Sequence, residues 1–121
     1  MANEITIQSR LMCTNGNLKF DYPTGNVLVT QTAAGGPTPG YVTIGTTEES
    51  FAFPELSTLG FLIMRNLDAT NYVQWGFATG VYGGRMRAGE PAGPFRLEPG
   101  ATLYLKANTA ACKVLLYALE S

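Results

Sequence analysis

Side chains able to do chemistry are few in this 121-residue chain, and their spacing does not bring them together. Ser9, Ser50, Ser57 and Ser121 are potential nucleophiles, but the chain has no histidine to activate them and no GxSxG context. Glu48 and Glu49 are adjacent. On a strand their carboxylates would point to opposite faces and could not act as an acid/base pair. The aspartates are Asp21 and Asp68, and Asp68 falls in a turn-forming run where capping accounts for it. Cys13 and Cys112 have neither CxxC spacing nor a histidine partner, so no metal site is expected. They read as two small buried apolar residues, or as a disulfide if their Cα atoms lie within about 7 Å. Catalytic, metal and cofactor sites are all expected to be absent.

One cluster has the ingredients of base stacking. Trp75, Phe77 and Tyr82 precede Arg85 and Arg87. The alternation of Trp75 and Phe77 with Gln74 and Gly76 instead marks a core face, with the arginines on a solvated basic hairpin. Gly83-Gly84 has no strand-to-helix context and reads as a turn, not a phosphate cradle. Charge agrees. Eight basic against nine acidic residues give a net −1, far from the basic surface a duplex binder needs. No direct nucleic-acid partner is expected.

The elements that would hold these residues are strands. Charged residues make up 14% of the chain and hydrophobic ones 45%, a composition that folds. No segment approaches the roughly 20 apolar residues of a membrane-spanning helix. The start, Met1 to Thr6, lacks the basic and apolar regions of a signal peptide, so a cytoplasmic site of synthesis is expected and no membrane partner. The dominant period is two: Ile5 to Leu11, Leu18 to Tyr22, Phe51 to Phe53 and Thr102 to Lys106 alternate apolar with polar residues. Asn15-Gly16-Asn17 reads as a hairpin turn, and Asn66 to Thr70 as a turn closed by Asx side chains. Val27 to Thr32, Tyr41 to Thr47, Phe61 to Arg65, Asn71 to Ala78 and Phe95 to Leu97 complete the strand set.

Lys113 to Glu120 is apolar on both parities, which fits a strand buried on both faces or a short helix; its strand neighbours favour the strand. The sum is one domain over residues 1–121, an antiparallel β-sandwich of eight to ten short strands, jelly-roll-like. Period-two spacing assigns Ile5, Ile7, Leu11, Phe20, Leu62, Met64, Leu103, Leu105, Val114 and Leu116 to one core.

Two features point away from an independent monomer. No charge occurs from Tyr22 to Thr47, so Val27, Val29, Tyr41, Val42 and Ile44 lack gatekeepers against edge pairing. The N-terminal arm from Ala2 through Ile5 and Ile7 is a terminal strand that can add to a neighbour's sheet. These residues form the expected contact surface, with Arg85 and Arg87 as a basic alternative.

The chain also resembles small virion structural proteins of tailed bacteriophages. The likeness lies in Met1 to Thr6, Gly45 to Glu49, Arg65 to Gly76, Arg87 to Glu90, Phe95 to Gly100 and Leu105 to Ala111, and is weakest between Thr32 and Gly40. The resemblance implies a small all-β protein of the head or tail, such as a capsid decoration (cement) protein assembled in the host cytoplasm. Its implied partners are the phage major capsid protein and further copies of itself, as a homo-dimer or trimer. It transfers no catalytic or cofactor residue. A tail, baseplate or fibre role remains open, with Trp75, Tyr41 and Tyr82 as a sugar-stacking platform if exposed. So does a nonviral lectin-like or adaptor module.

Overall fold

The computed structural model describes residues 3–121, and every strand pairing in it is antiparallel. Twelve strands occur among the described residues, against the eight to ten expected, because the Ile5–Leu11 stretch is divided in two and Gly84–Met86 forms a strand where a turn was expected. Contacts divide the chain into two units, one ending at Thr32 and the other spanning Ala33–Ser121.

The first unit is one long, bulged hairpin. Its strands are β1 (Ile5–Ile7), β2 (Arg10–Asn15), β3 (Leu18–Pro23) and β4 (Val27–Val29). β2 pairs with β3 from Arg10↔Pro23 to Asn15↔Leu18, and β1 pairs with β4 from Ile5↔Val29 to Ile7↔Val27. The tip is the expected turn, reduced to Gly16 and Asn17. Gly16 has φ +58° and Asn17 is not left-handed, the φ pattern of a type II′ turn. Between the two ladders Gln8 faces two residues, Gly25 and Asn26, and Gly25 has φ +70°. This is a glycine-type bulge, and it interrupts the Ile5–Leu11 strand expected from alternation. The Gln8 amide donates to Asn26 Oδ1, and Ser9 N–H donates to Thr24 Oγ1 at 3.0 Å, so side chains satisfy the break.

The second unit is a sandwich. One sheet has the order β10 (Pro91–Arg96), β7 (Leu59–Asn66), β12 (Cys112–Glu120), β5 (Thr38–Ile44). The other runs β6 (Glu49–Phe51), β11 (Leu103–Ala107), β8 (Val73–Gly76), β9 (Gly84–Met86). Between them lies one core that includes Ile44, Leu62, Met64, Val73, Met86, Leu103, Leu105, Val114 and Leu116. Strict alternation of burial is clearest in β11 and β12, as period-two patterning requires, whereas β7 is buried on both parities from Leu59 to Leu62.

β12 is a strand, as its neighbours suggested, but it is not buried on both faces. Val114, Leu116 and Ala118 enter the core while Lys113 and Tyr117 are exposed on the other side. Pro39 sits in β5, an edge strand bonded to β12 alone, where proline is tolerated. The turn after β7 closes as its residues suggested. Asn66 Oδ1 accepts from Asp68 N–H at 3.0 Å, and Asp68 Oδ2 accepts from Thr70 and Asn71 N–H at 3.0 and 2.6 Å. Asn66 is wholly buried, and its amide also reaches the carbonyls of Asn71, Met86 and Arg87.

Candidate assembly surface

The chemistry-bearing residues stay dispersed. Glu49 accepts from Gly45 N–H at 2.7 Å, whereas Glu48 accepts from Gly80 N–H and the Tyr82 hydroxyl, so the two carboxylates diverge. The Tyr82 hydroxyl holds Glu48 below the usual carboxylate range, and the same bond pushes the Tyr82 pKa up to about 12. Among the described residues no group of three His, Cys, Asp or Glu side chains is placed to hold a metal ion. No helix among them is long and apolar enough to cross a membrane.

Trp75 is half-buried. It stacks on Phe95 with ring centroids 5.5 Å apart and meets Phe77 edge-on at 6.1 Å. Trp75 pairs with Leu105 across β8 and β11 on the core-facing parity, while Tyr41 lies on the outer face of the other sheet. Trp75 and Tyr41 do not share a platform. Arg85 lies over the Tyr72 ring at 3.9 Å, and Arg87 is exposed beside Thr70, Tyr72 and Glu90 around an open hollow of about 480 Å³.

The expected contact residues separate into three groups. Ile44 is wholly buried in the core and Ile5 is buried, so neither offers its side chain to a partner. Ile7, Val29 and Val42 are half-buried, and Val42 packs against the core. Val27, Tyr41, Arg85 and Arg87 are exposed. Ala2, the start of the proposed arm, lies outside the described residues. Ile5 and Ile7 already pair with β4.

One uncovered apolar surface includes residues the sequence assigned to the core. Leu11 is 69% exposed and Phe20 49%, with Leu18 and Tyr22 equally open. Every residue of β2 and β3 is exposed, Cys13 included, so Cys13 is a free surface thiol while Cys112 is free and buried. Cross-strand pairing sorts these residues. Leu11↔Tyr22, Cys13↔Phe20 and Asn15↔Leu18 share one face; Arg10↔Pro23, Met12↔Asp21 and Thr14↔Lys19 share the other. Toward the base of the hairpin, Ile5, Ile7, Val27 and Val29 extend the same apolar parity. The hairpin is strongly amphipathic, yet its own chain leaves the apolar side of the tip open.

A second apolar patch lies on the outer face of the β5-containing sheet. Tyr41 faces Leu115 across β5 and β12, and Tyr117 faces Ile63 across β12 and β7. Tyr41, Ile63 and Tyr117 are exposed, with Lys113 Nζ 5.5 Å from the Tyr41 ring. Alternation in β12 carried a signal for this patch, since apolar residues of both parities must face something.

No family model, curated protein or solved structure matches the chain. The class is defined by its own architecture: an antiparallel β-sandwich joined in sequence to an amphipathic N-terminal hairpin.

Proposed function

We propose that this protein is a structural component of a tailed-phage virion, a capsid decoration protein that binds and stabilises the lattice of the major capsid protein. One observation carries the reading: the hairpin tip displays Leu11, Leu18, Phe20 and Tyr22 together on one face that its own chain leaves uncovered. A two-stranded hairpin is marginal in water alone, and an apolar face of this kind marks a surface completed by assembly. The phage and capsid assignments come from the resemblance in Met1 to Thr6, Arg65 to Gly76 and Phe95 to Gly100. A β-sandwich joined in sequence to an adhesive hairpin suits repeated attachment, because many weak contacts on a lattice sum to firm binding.

Attachment through this face should resist salt, since the screening length at about 1 M is near 3 Å and apolar burial does not depend on charge. The test is co-sedimentation of the purified protein with capsids lacking it, in low salt and in about 1 M salt. Binding should persist at both, vanish in Phe20→Asp and Leu11→Asp, and survive Arg87→Ala. Salt-labile binding that requires Arg85 and Arg87 would overturn the apolar interface.

A further inference from the structure

The open edge of β3 has a symmetry of its own. Thr24 N–H donates to Ser9 C=O at 2.8 Å, which makes Ser9 and Thr24 a hydrogen-bonded pair of the hairpin. Such pairs alternate along an antiparallel ladder, so Leu11–Tyr22, Cys13–Phe20 and Asn15–Leu18 are hydrogen-bonded as well. It follows that Lys19 and Asp21 turn their backbone N–H and C=O groups away from β2. β3 is bonded to β2 alone, so these groups form an unpaired edge.

The residues on that edge read Leu18-Lys19-Phe20-Asp21-Tyr22, apolar at both ends and at the centre, with opposite charges on either side of Phe20. A two-fold axis through Phe20 superposes this pattern on its complement. Lys19 of one copy then lies opposite Asp21 of the other, twice. The same axis aligns the outward N–H and C=O groups of both residues for four ladder hydrogen bonds. Phe20 meets its own counterpart at a close, non-hydrogen-bonded position, and Leu18 meets Tyr22.

We infer that β3 pairs with β3 of a second copy of this chain about a two-fold axis at Phe20. The charges single out a second copy as the occupant of this edge. Among the described residues the one ion pair is Arg10–Asp21, so Lys19 has no acidic partner among them, and the dimer supplies one. Asp21 then sits between Arg10 of its own chain and Lys19 of the other. The β2 edge offers no such match, because the β2 residues Arg10–Asn15 include no acidic side chain. Pairing turns a marginal two-stranded hairpin into a four-stranded sheet with one apolar and one charged face. The inference does not rest on the virion role and concerns the purified chain without any capsid.

The experiment is a charge-exchange dimerisation assay on the full chain, read by sedimentation equilibrium. Lys19→Asp gives a chain acidic at both positions, and Asp21→Lys gives one basic at both. Each alone should dimerise about tenfold or more weakly than the native chain, since like charges then face each other twice. Mixed together they should form a heterodimer with native-like affinity. Circular dichroism of each variant confirms that the sandwich remains folded. A second readout uses Cys13. Three inter-strand steps separate the two Cys13 Cα atoms by about 14 Å, so a bis-maleimide of that span should join them and oxidation should not. A monomeric native chain, failure of the mixture to associate, or a Cys13–Cys13 disulfide would each overturn the proposal. The disulfide would point instead to hairpins packed face to face. Loss of capsid binding with dimerisation intact would count against the virion reading alone.

Discussion

Arg10 grips both carboxylate oxygens of Asp21 from the neighbouring strand, Nε to Oδ1 at 2.9 Å and Nη2 to Oδ2 at 2.7 Å. The pair lies on the charged face of the hairpin, opposite Leu11, Phe20 and Tyr22. Both side chains are about half exposed, so the bond orients the hairpin more than it stabilises it. It marks the charged face of the hairpin and sets it apart from the apolar one.

That division predicts opposite responses to truncation. Leu116→Ala, at a wholly buried core position, should cost about 2–5 kcal/mol and lower the melting temperature accordingly. Phe20→Ala should change the stability of the isolated chain by less than about 0.5 kcal/mol at a concentration where it is monomeric, as surface substitutions usually do. Differential scanning calorimetry on dilute protein separates the two. A large loss in the Phe20 variant would mean its ring packs within the chain.

A second prediction concerns Gly84. An added Cβ there would fall 2.2 Å from Trp75 Cε2, inside any real contact distance. Gly84→Ala must displace the indole from its stack on Phe95 and should cost about 1–3 kcal/mol, the usual penalty of overpacking. Tryptophan fluorescence should shift in the same variant. An unchanged spectrum and melting temperature would contradict the packing described.

Alternation made most of the sandwich legible, since it reports which residues want burial. Leu62, Met64, Leu103, Leu105, Val114 and Leu116 were assigned correctly to the core for that reason. The same signal misplaced Leu11 and Phe20, because a polar/apolar period states that a face is to be covered but not by which chain. The division of Ile5–Leu11 was hidden for a different reason. The extra residue sits on the opposite strand, at Gly25 and Asn26, so nothing in the Ile5–Leu11 run marks it. β9 was missed because Gly83 and Gly84 read as breakers, whereas Gly84 is small to admit Trp75.

Titration gives a third prediction, on the Glu48–Tyr82 bond. Glu48 is held low by the Tyr82 hydroxyl, so its stabilising effect is present above the ordinary carboxylate pKa and is lost as pH falls through the depressed value. Tyr82 is raised to about 12, so its effect is present below about pH 10 and is lost as pH rises toward 12. Tyr82→Phe should remove the alkaline dependence and weaken the acid one, which the Gly80 N–H bond to Glu48 keeps in part, making stability flatter above about pH 10 and less steep in acid. Thermal melts across pH check this, and an unchanged profile would contradict the bond.

Attachment at a stoichiometric level is the core of the proposed role. The most direct measurement of that proposal is the copy number of this chain in virions purified from the source that encodes it, by quantitative mass spectrometry against the major capsid protein. A decoration protein covers the lattice, so roughly one copy per one to a few capsid subunits is expected, on the order of hundreds per particle. A handful of copies, or absence from the particle, would contradict it.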